Sequence, residues 1–207
     1  MDSIEIKICG LTNRDDAVAA LDFGADYLGF ILYSKSPRGI TASKLADILG
    51  HITKPFNAIA VFVNEQRKSI EAIAGDCGLY AVQLHGDEKP ENFAELPFKI
   101  WRAVKYVNNA FAPSPEKWNA DRFLVDAAVK GKHGGTGVKA DWVKAAELAA
   151  KYPVMLSGGL NPENVAEAVR AVKPLGVDAA TGIESSPCKK DLKKMKRFIQ
   201  AVKAATA

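Results

Sequence analysis

Residues Val154 to Glu184, VMLSGGLNPENVAEAVRAVKPLGVDAATGIE, spell a strand, a helix and a second strand, and each strand runs into glycine. Val154 to Leu156 is a short apolar run halted by Ser157-Gly158-Gly159. Asn161-Pro162 then supplies an N-cap and a proline at the first helical position. Val165, Ala168, Val169 and Val172 recur at helical spacing, Pro174-Leu175-Gly176 ends the helix, and Val177 to Ala180 leads into Thr181-Gly182-Ile183-Glu184. Two parallel strands joined by a helix demand a sheet covered on both faces. At both glycine turns, backbone N–H groups can close around an anion. In an eight-stranded βα barrel the loops after strands 7 and 8 form the usual phosphate site, so the decisive question is whether six more strands come first.

They do. Glu5 to Cys9, Tyr27 to Leu32, Asn57 to Val63, Tyr80 to Leu84, Ile100 to Val104 and Arg122 to Asp126 all read as strands. Helices are predicted after Asn13 and ending at Gly24, from Ser43 to Leu49, from Ser69 to Cys77, near Pro90 to Leu96, from Asp141 through Ala150, and at the C-terminus. The helix after the fifth strand is poorly marked, because Pro113 and Pro115 interrupt it. The expectation is an α/β fold, a single-domain (β/α)8 TIM barrel over residues 1–207, with eight strands and about eight helices. A doubly wound open sheet, which needs fewer strands and a switch point, ranks second.

Composition narrows the function. A chain of 207 residues that is 48% hydrophobic can bury one sizeable core. It has no apolar run of membrane-spanning length and no signal-like start, so the expectation is a cytoplasmic protein with no membrane partner. Cys9, Cys77 and Cys188 lie far apart and give neither a disulfide framework nor a zinc pair. His51, His85 and His133 lack metal-ligand spacing. The basic cluster from Lys189 to Arg197 shares its stretch with Leu192, Met195, Phe198, Ile199 and Val202, which reads as the solvated face of an amphipathic last helix, not a nucleic-acid site.

Barrel chemistry sits at the C-terminal ends of the strands, where the polar residues are Cys9, Arg38, His85, Asp126 and Asp178. Alternation sends Ile6 and Ile8 towards the helices and Glu5, Lys7 and Cys9 inside. With Lys7 nearby, Cys9 is expected to carry a lowered pKa and serve as base or nucleophile; the competing role is a small buried hydrophobe. Asp126 ends an apolar strand, where desolvation would raise its pKa toward that of a general acid, or else it braces the glycine-rich loop that follows. Asp178 either binds sugar hydroxyls or pairs with Lys7. Arg38, after Ser-Pro in a short loop, offers a forked donor to a carboxylate or else is solvated. His85 beside Gly86 is a weaker signal.

These residues lie in blocks that carry a resemblance. KICGLT, GFILYSKSPRGI, VFVN, QLHGDE, DAAVKGKHGGTG, LSGGLNPENV and GVDAATGIESSPCKKD, spread along the chain in that order, together resemble the phosphoribosylanthranilate isomerase family of tryptophan biosynthesis. The resemblance implies a (β/α)8 barrel that performs an Amadori rearrangement without a cofactor. It implies Cys9 as general base and Asp126 as general acid, Arg38 on the anthranilate carboxylate, and Gly158, Gly159 and Gly182 on the phosphate. Asp178 and His85 complete the expected substrate-binding set, and Thr181 is a further phosphate donor. The partner expected is a small phosphosugar, with other tryptophan-pathway enzymes as candidate associates.

Three positions depart from the family pattern: Ala140 stands where an aromatic is usual, Ala180-Thr181 where serines are common, and Cys188 in place of a glycine. Two rivals are weighed. The histidine-pathway isomerase would need a second glycine-rich phosphate site in the first half and an aspartate in place of Cys9. A non-catalytic sugar-phosphate-binding barrel would keep the glycines with no need of Cys9 and Asp126 together.

Overall fold

The computed structural model describes residues 4 to 126 and 141 to 206. Eight strands, β1 (Glu5–Ile8), β2 (Tyr27–Ile31), β3 (Ala58–Phe62), β4 (Ala81–Leu84), β5 (Lys99–Val107), β6 (Arg122–Asp126), β7 (Val154–Leu156) and β8 (Gly176–Ala179), pair in parallel, each with the next in sequence. β8 returns to β1, with Lys7 opposite Asp178 and Ile8 opposite Ala179, and this pairing closes the barrel. The closed ring leaves none of these eight strands as an open edge.

Period-two alternation sorts the two faces. Ile6, Ile8, Leu28, Phe30, Ala60 and Phe62 point outward into the apolar shell shared with the helices. Tyr27, Ile59, Ala81, Trp101, Ala103, Leu124 and Met155 form a separate cluster inside. There Tyr27 and Trp101 meet edge-on with ring centroids 4.9 Å apart, so the interior is a packed plug and not a pore.

The outer layer holds α1 (Arg14–Phe23), α2 (Ala42–Gly50), α3 (Arg67–Asp76), α4 (Trp142–Ala149), α5 (Val165–Val172) and α6 (Leu192–Thr206). Asn13 caps α1 by accepting the Asp16 N–H, Gly24 ends it in the left-handed region, and Asp141 caps α4. Asn161 does not cap α5 directly. Its side chain accepts the N–H groups of Glu163 and Asn164, holding a preceding turn, and the helix starts only at Val165. In α6, Met195, Phe198, Ile199 and Val202 are buried, whereas Leu192 is exposed and stands outside the stripe.

The expected eight helices become six α-helices among the described residues. After β4 the chain makes only a 3-10 turn, Pro90–Asn92. After β5 it doubles back as a hairpin, because Asn108 and Asn109 take φ of 50° and 62° and Ala110–Ala112 pairs antiparallel with the end of β5. Pro113 and Pro115 then deny the segment the N–H donors a helix needs, leaving a second 3-10 turn at Pro115–Lys117. Phe93 and Trp118, buried and stacked at 6.5 Å, cover the outer wall there.

Candidate active site

The seam between β1 and β8 carries the first group of polar side chains. Lys7 is fully buried, and its ammonium lies 2.9 Å from Asp178 Oδ1. Asp178 thus makes the ion pair with Lys7 that was one of its two expected roles. Cys9, one layer nearer the mouth, is also buried. A Cβ on the facing Gly29 of β2 would come within 2.9 Å of Cys9 Sγ and 3.0 Å of Lys7 Cε, so these two side chains fill the space that glycine vacates.

The expected low pKa of Cys9 is not found. Burial pushes the thiol up, Asp178 adds to the rise, and the opposing pull of Lys7 and Lys190 does not cancel it. The main reason is burial: removing the thiol from water disfavours its charged form by more than the nearby Lys7 ammonium favours it. Burial also works against the Lys7 ammonium, but Asp178 and Cys9 outweigh it and hold its pKa above the ordinary value.

Arg38 follows β2 and is buried, not solvated. Its Nε donates to Glu184 Oε1 at 2.7 Å and its Nη2 to Glu184 Oε2 at 2.6 Å, a two-pronged ion pair. Lys190 Nζ donates to the same carboxylate at 3.2 Å and to the Ala180 carbonyl at 3.0 Å. Glu184 and Lys190 face each other across a small hairpin, Glu184–Ser186 against Lys189–Lys190, that follows β8. The hydrogen bond to Glu184, together with its charge, holds Arg38 protonated above the usual guanidinium range. Burial would raise Glu184, but Arg38 and Lys190 bring it below the usual carboxylate value. The Arg38 stem crosses Gly10, where a Cβ would meet Arg38 Cδ at 2.6 Å, so the guanidinium runs beside the end of β1 that carries Cys9. Cys188, in the hairpin turn at φ 69°, takes the left-handed backbone that favours glycine and points its thiol at the Pro37 carbonyl, 2.8 Å away.

The opposite part of the mouth is built by β4 and β6. Asp126 ends β6 buried, with His85 Nε2 3.4 Å from its Oδ2. At that separation the two groups face each other without a hydrogen bond, and Nε2 makes none among the described residues. Gln83 Nε2 lies 2.9 Å from His85 Nδ1; with Gln83 as donor there, Nε2 carries the hydrogen that faces Asp126. The loop bearing His85 is held from outside by Arg102, which donates to the Leu84 and Gly86 carbonyls and to Glu88. Glu88 in turn accepts the Asn64 and Gly86 N–H groups. Gly131, His133, Gly134, Gly135, Gly137 and Ala140, in the loop that follows β6, lie outside the described residues.

Beyond β7 the turn has Gly158 at φ 82° and Gly159 at φ 67°, backbone that glycine alone adopts without cost. Asn164 locks it, donating from its amide to the Gly159 carbonyl and accepting the Asn161 N–H. Beyond β8, Thr181–Ile183 forms a 3-10 turn at whose centre Gly182 presses on the first turn; a Cβ there would lie 2.0 Å from the Leu160 carbonyl oxygen. The turns bearing Gly158, Gly159, Thr181 and Gly182 are thus in direct contact. Among the described residues, no group of three or more His, Cys, Asp or Glu side chains is placed to hold a metal ion, and no helix is long and apolar enough to cross a membrane.

This architecture places the protein among the (β/α)8 barrels, which work with side chains at the C-terminal ends of their strands. A family model described as N-(5'phosphoribosyl)anthranilate (PRA) isomerase matches residues 6–201, and the chain belongs to that family. A relative from Pelobacter propionicus, named N-(5'-phosphoribosyl)anthranilate isomerase, is 40% identical over 97% of this chain and 96% of its own. The crystal structure of the isomerase from Thermotoga maritima superposes with a TM-score of 0.85 at 32% identity, over 97% of this chain and 99% of that one. A solved isomerase in complex with reduced 1-(o-carboxyphenylamino)-1-deoxyribulose 5-phosphate superposes with a TM-score of 0.82 at 31% identity, with the same coverage.

Sequence reasoning selected Cys9, Arg38, His85, Asp126 and Asp178, and the structure brings Cys9, Asp178 and Arg38 to one wall and His85 with Asp126 to another. It missed Glu184 and Gln83, and it put Lys190 on the solvated face of the last helix, whereas Lys190 lies before that helix, in the hairpin, buried against Glu184. Gln83 was findable, since it lies two residues before His85 and so shares its inward face. Glu184 was not, because its partner Arg38 is 146 positions away.

Proposed function

We propose that Cys9 and Asp126 carry the isomerisation of N-(5'-phosphoribosyl)anthranilate to 1-(2-carboxyphenylamino)-1-deoxyribulose 5-phosphate in tryptophan biosynthesis. The reading treats the whole chain as one cytoplasmic domain. What supports these roles is the placement of a buried thiol and a buried carboxylate at the inward C-terminal ends of β1 and β6, above a plugged barrel and beside a double glycine turn.

Asp126, in its acid form, gives its proton to the furanose ring oxygen. The C1′–O bond breaks, and the anilino nitrogen lone pair makes an iminium. The Cys9 thiolate takes the proton from C2′, yielding an enolamine that tautomerises to the ketone. His85 Nε2–H faces Asp126 and steadies its carboxylate once the proton has left. The phosphate is held by backbone N–H groups of the turns at Gly158, Gly159, Thr181 and Gly182. Arg38 takes the anthranilate carboxylate, and Asp178 acts through Lys7 on the thiol.

The test is the fluorescence of freshly generated phosphoribosylanthranilate, followed on adding the protein, beside the two-phosphate substrate of the histidine pathway. Fluorescence should decay with the wild type and persist with Cys9→Ala or Asp126→Asn. Decay at the wild-type rate in either variant overturns the assignment of that residue.

A further inference from the structure

The arginine expected to receive a carboxylate already holds one. Glu184 engages Arg38 side-on, through Nε and one hydrogen of Nη2. A guanidinium has five N–H bonds in a rigid plane, so a side-on grip leaves the edge formed by Nη1 and the second Nη2 hydrogen, itself the right shape for a second carboxylate. The side-on partner also fixes the plane in which that edge lies. An arginine on a loop, without such a partner, would have to order its side chain anew for each substrate.

Charge matters as well as direction. Arg38 and Glu184 together are neutral, and a neutral pair attracts an incoming anion weakly. Lys190, buried against the same Glu184 oxygen that accepts from Arg38 Nε, adds a second cation to the group. The three charges leave one net positive, and the cluster stands beside Gly10 and Cys9 at the mouth of the barrel.

We infer that Glu184 is a positioning residue that turns the free edge of Arg38 toward the carboxylate on the aromatic ring, with Lys190 restoring the positive charge that Glu184 takes away. This rests on the reading of Arg38 as the group that binds that carboxylate. Glu184 touches no reacting atom in this scheme, so its removal should act on the recognition of one part of the substrate and not on proton transfer.

The experiment measures KM and kcat for two substrates, N-(5'-phosphoribosyl)anthranilate and the aniline analogue that lacks the ring carboxylate. Glu184→Gln should raise KM for the first by roughly 10- to 100-fold, the range expected for misdirected charge-assisted hydrogen bonds, with kcat little changed and the aniline substrate nearly unaffected. The double variant Glu184→Gln/Lys190→Met keeps the wild-type net charge on the cluster but lacks the side-on partner. It should keep the KM defect, and it carries the test if Glu184→Gln alone does not fold. Equal losses on both substrates, or a return of the double variant to the wild-type KM, would overturn the inference, the latter because Glu184 would then only neutralise Lys190. Arg38→Met separates the two layers of the argument. If it too fails to distinguish the substrates, the carboxylate role of Arg38 falls and takes the inference with it; if it distinguishes them while the Glu184 variants do not, only the inference falls.

Discussion

Lys7 and Asp178 sit opposite each other in the register of the first and last strands, and their charged ends meet at 2.9 Å inside the barrel. Deleting one partner of a buried pair leaves the other charge without compensation, which costs about 3–5 kcal/mol. Asp178→Asn should lose stability of that order in urea unfolding. It should also lower the Cys9 pKa, since Asp178 raises it directly and competes for Lys7. The acid limb of the kcat/KM profile should therefore move to lower pH. A limb that stays in place would mean that the rate reports a group other than the thiol.

Cys9→Ala and Asp126→Asn should each lower kcat by roughly 10²- to 10⁴-fold while changing KM little, as expected for a lost base or acid. His85→Ala should cause a smaller fall. Because His85 is read as acting through Asp126, its effect should vanish in the Asp126→Asn background. Additive losses in a single-turnover assay would show that His85 has its own contact with substrate.

Gly182→Ala tests the double turn. The added methyl would lie 2.0 Å from the Leu160 carbonyl oxygen, so one of the two turns must shift. KM should rise, and inhibition by inorganic phosphate should weaken in parallel. A raised KM with unchanged phosphate inhibition would place the phosphate elsewhere.

Acid should unpick the Arg38 cluster. The folded-state pKa of Glu184 lies below the ordinary carboxylate value of 4.5, so its contribution to stability is present above that pH and is lost as pH falls through the lower, folded value. In Glu184→Gln there is no such proton to take up. The stability gap between wild type and variant should be widest near neutral pH and narrow below about 4.5, read from urea midpoints across that range. A gap that does not change with pH would mean that the variant suffers from packing and not from charge.

Much of the barrel was legible because its cues are local. The eight strands fall where the short apolar runs fall, within a residue or two except at β5, and Asn13, Gly24 and Asp141 act at helix ends as their side chains and backbone freedom dictate. The failures were local too. Pro162 suggested a helix one turn before it begins, and the paired Asn108 and Asn109 turn, with the prolines behind it, made a hairpin where the barrel pattern suggested a helix. In the site, strand alternation was enough to point Lys7, Cys9, Asp126 and Asp178 inward. What no local rule supplied was how deeply the thiol would be buried, and beside which charges. A lysine two residues from a cysteine suggests a thiolate, and only the fold shows that the thiol is buried and that an aspartate 171 positions away from that lysine pairs with it.

That separation has a consequence for how the chain is made. Synthesis releases Lys7 171 positions before Asp178, and in the interval the ammonium has no inner partner and must stay in water. A nascent chain arrested before β8 should therefore leave Cys9 open to alkylation, and the thiol should become shielded only after the last strand has emerged from the ribosome. Reactivity of Cys9 toward a maleimide on chains of increasing length would time the moment at which the barrel shuts.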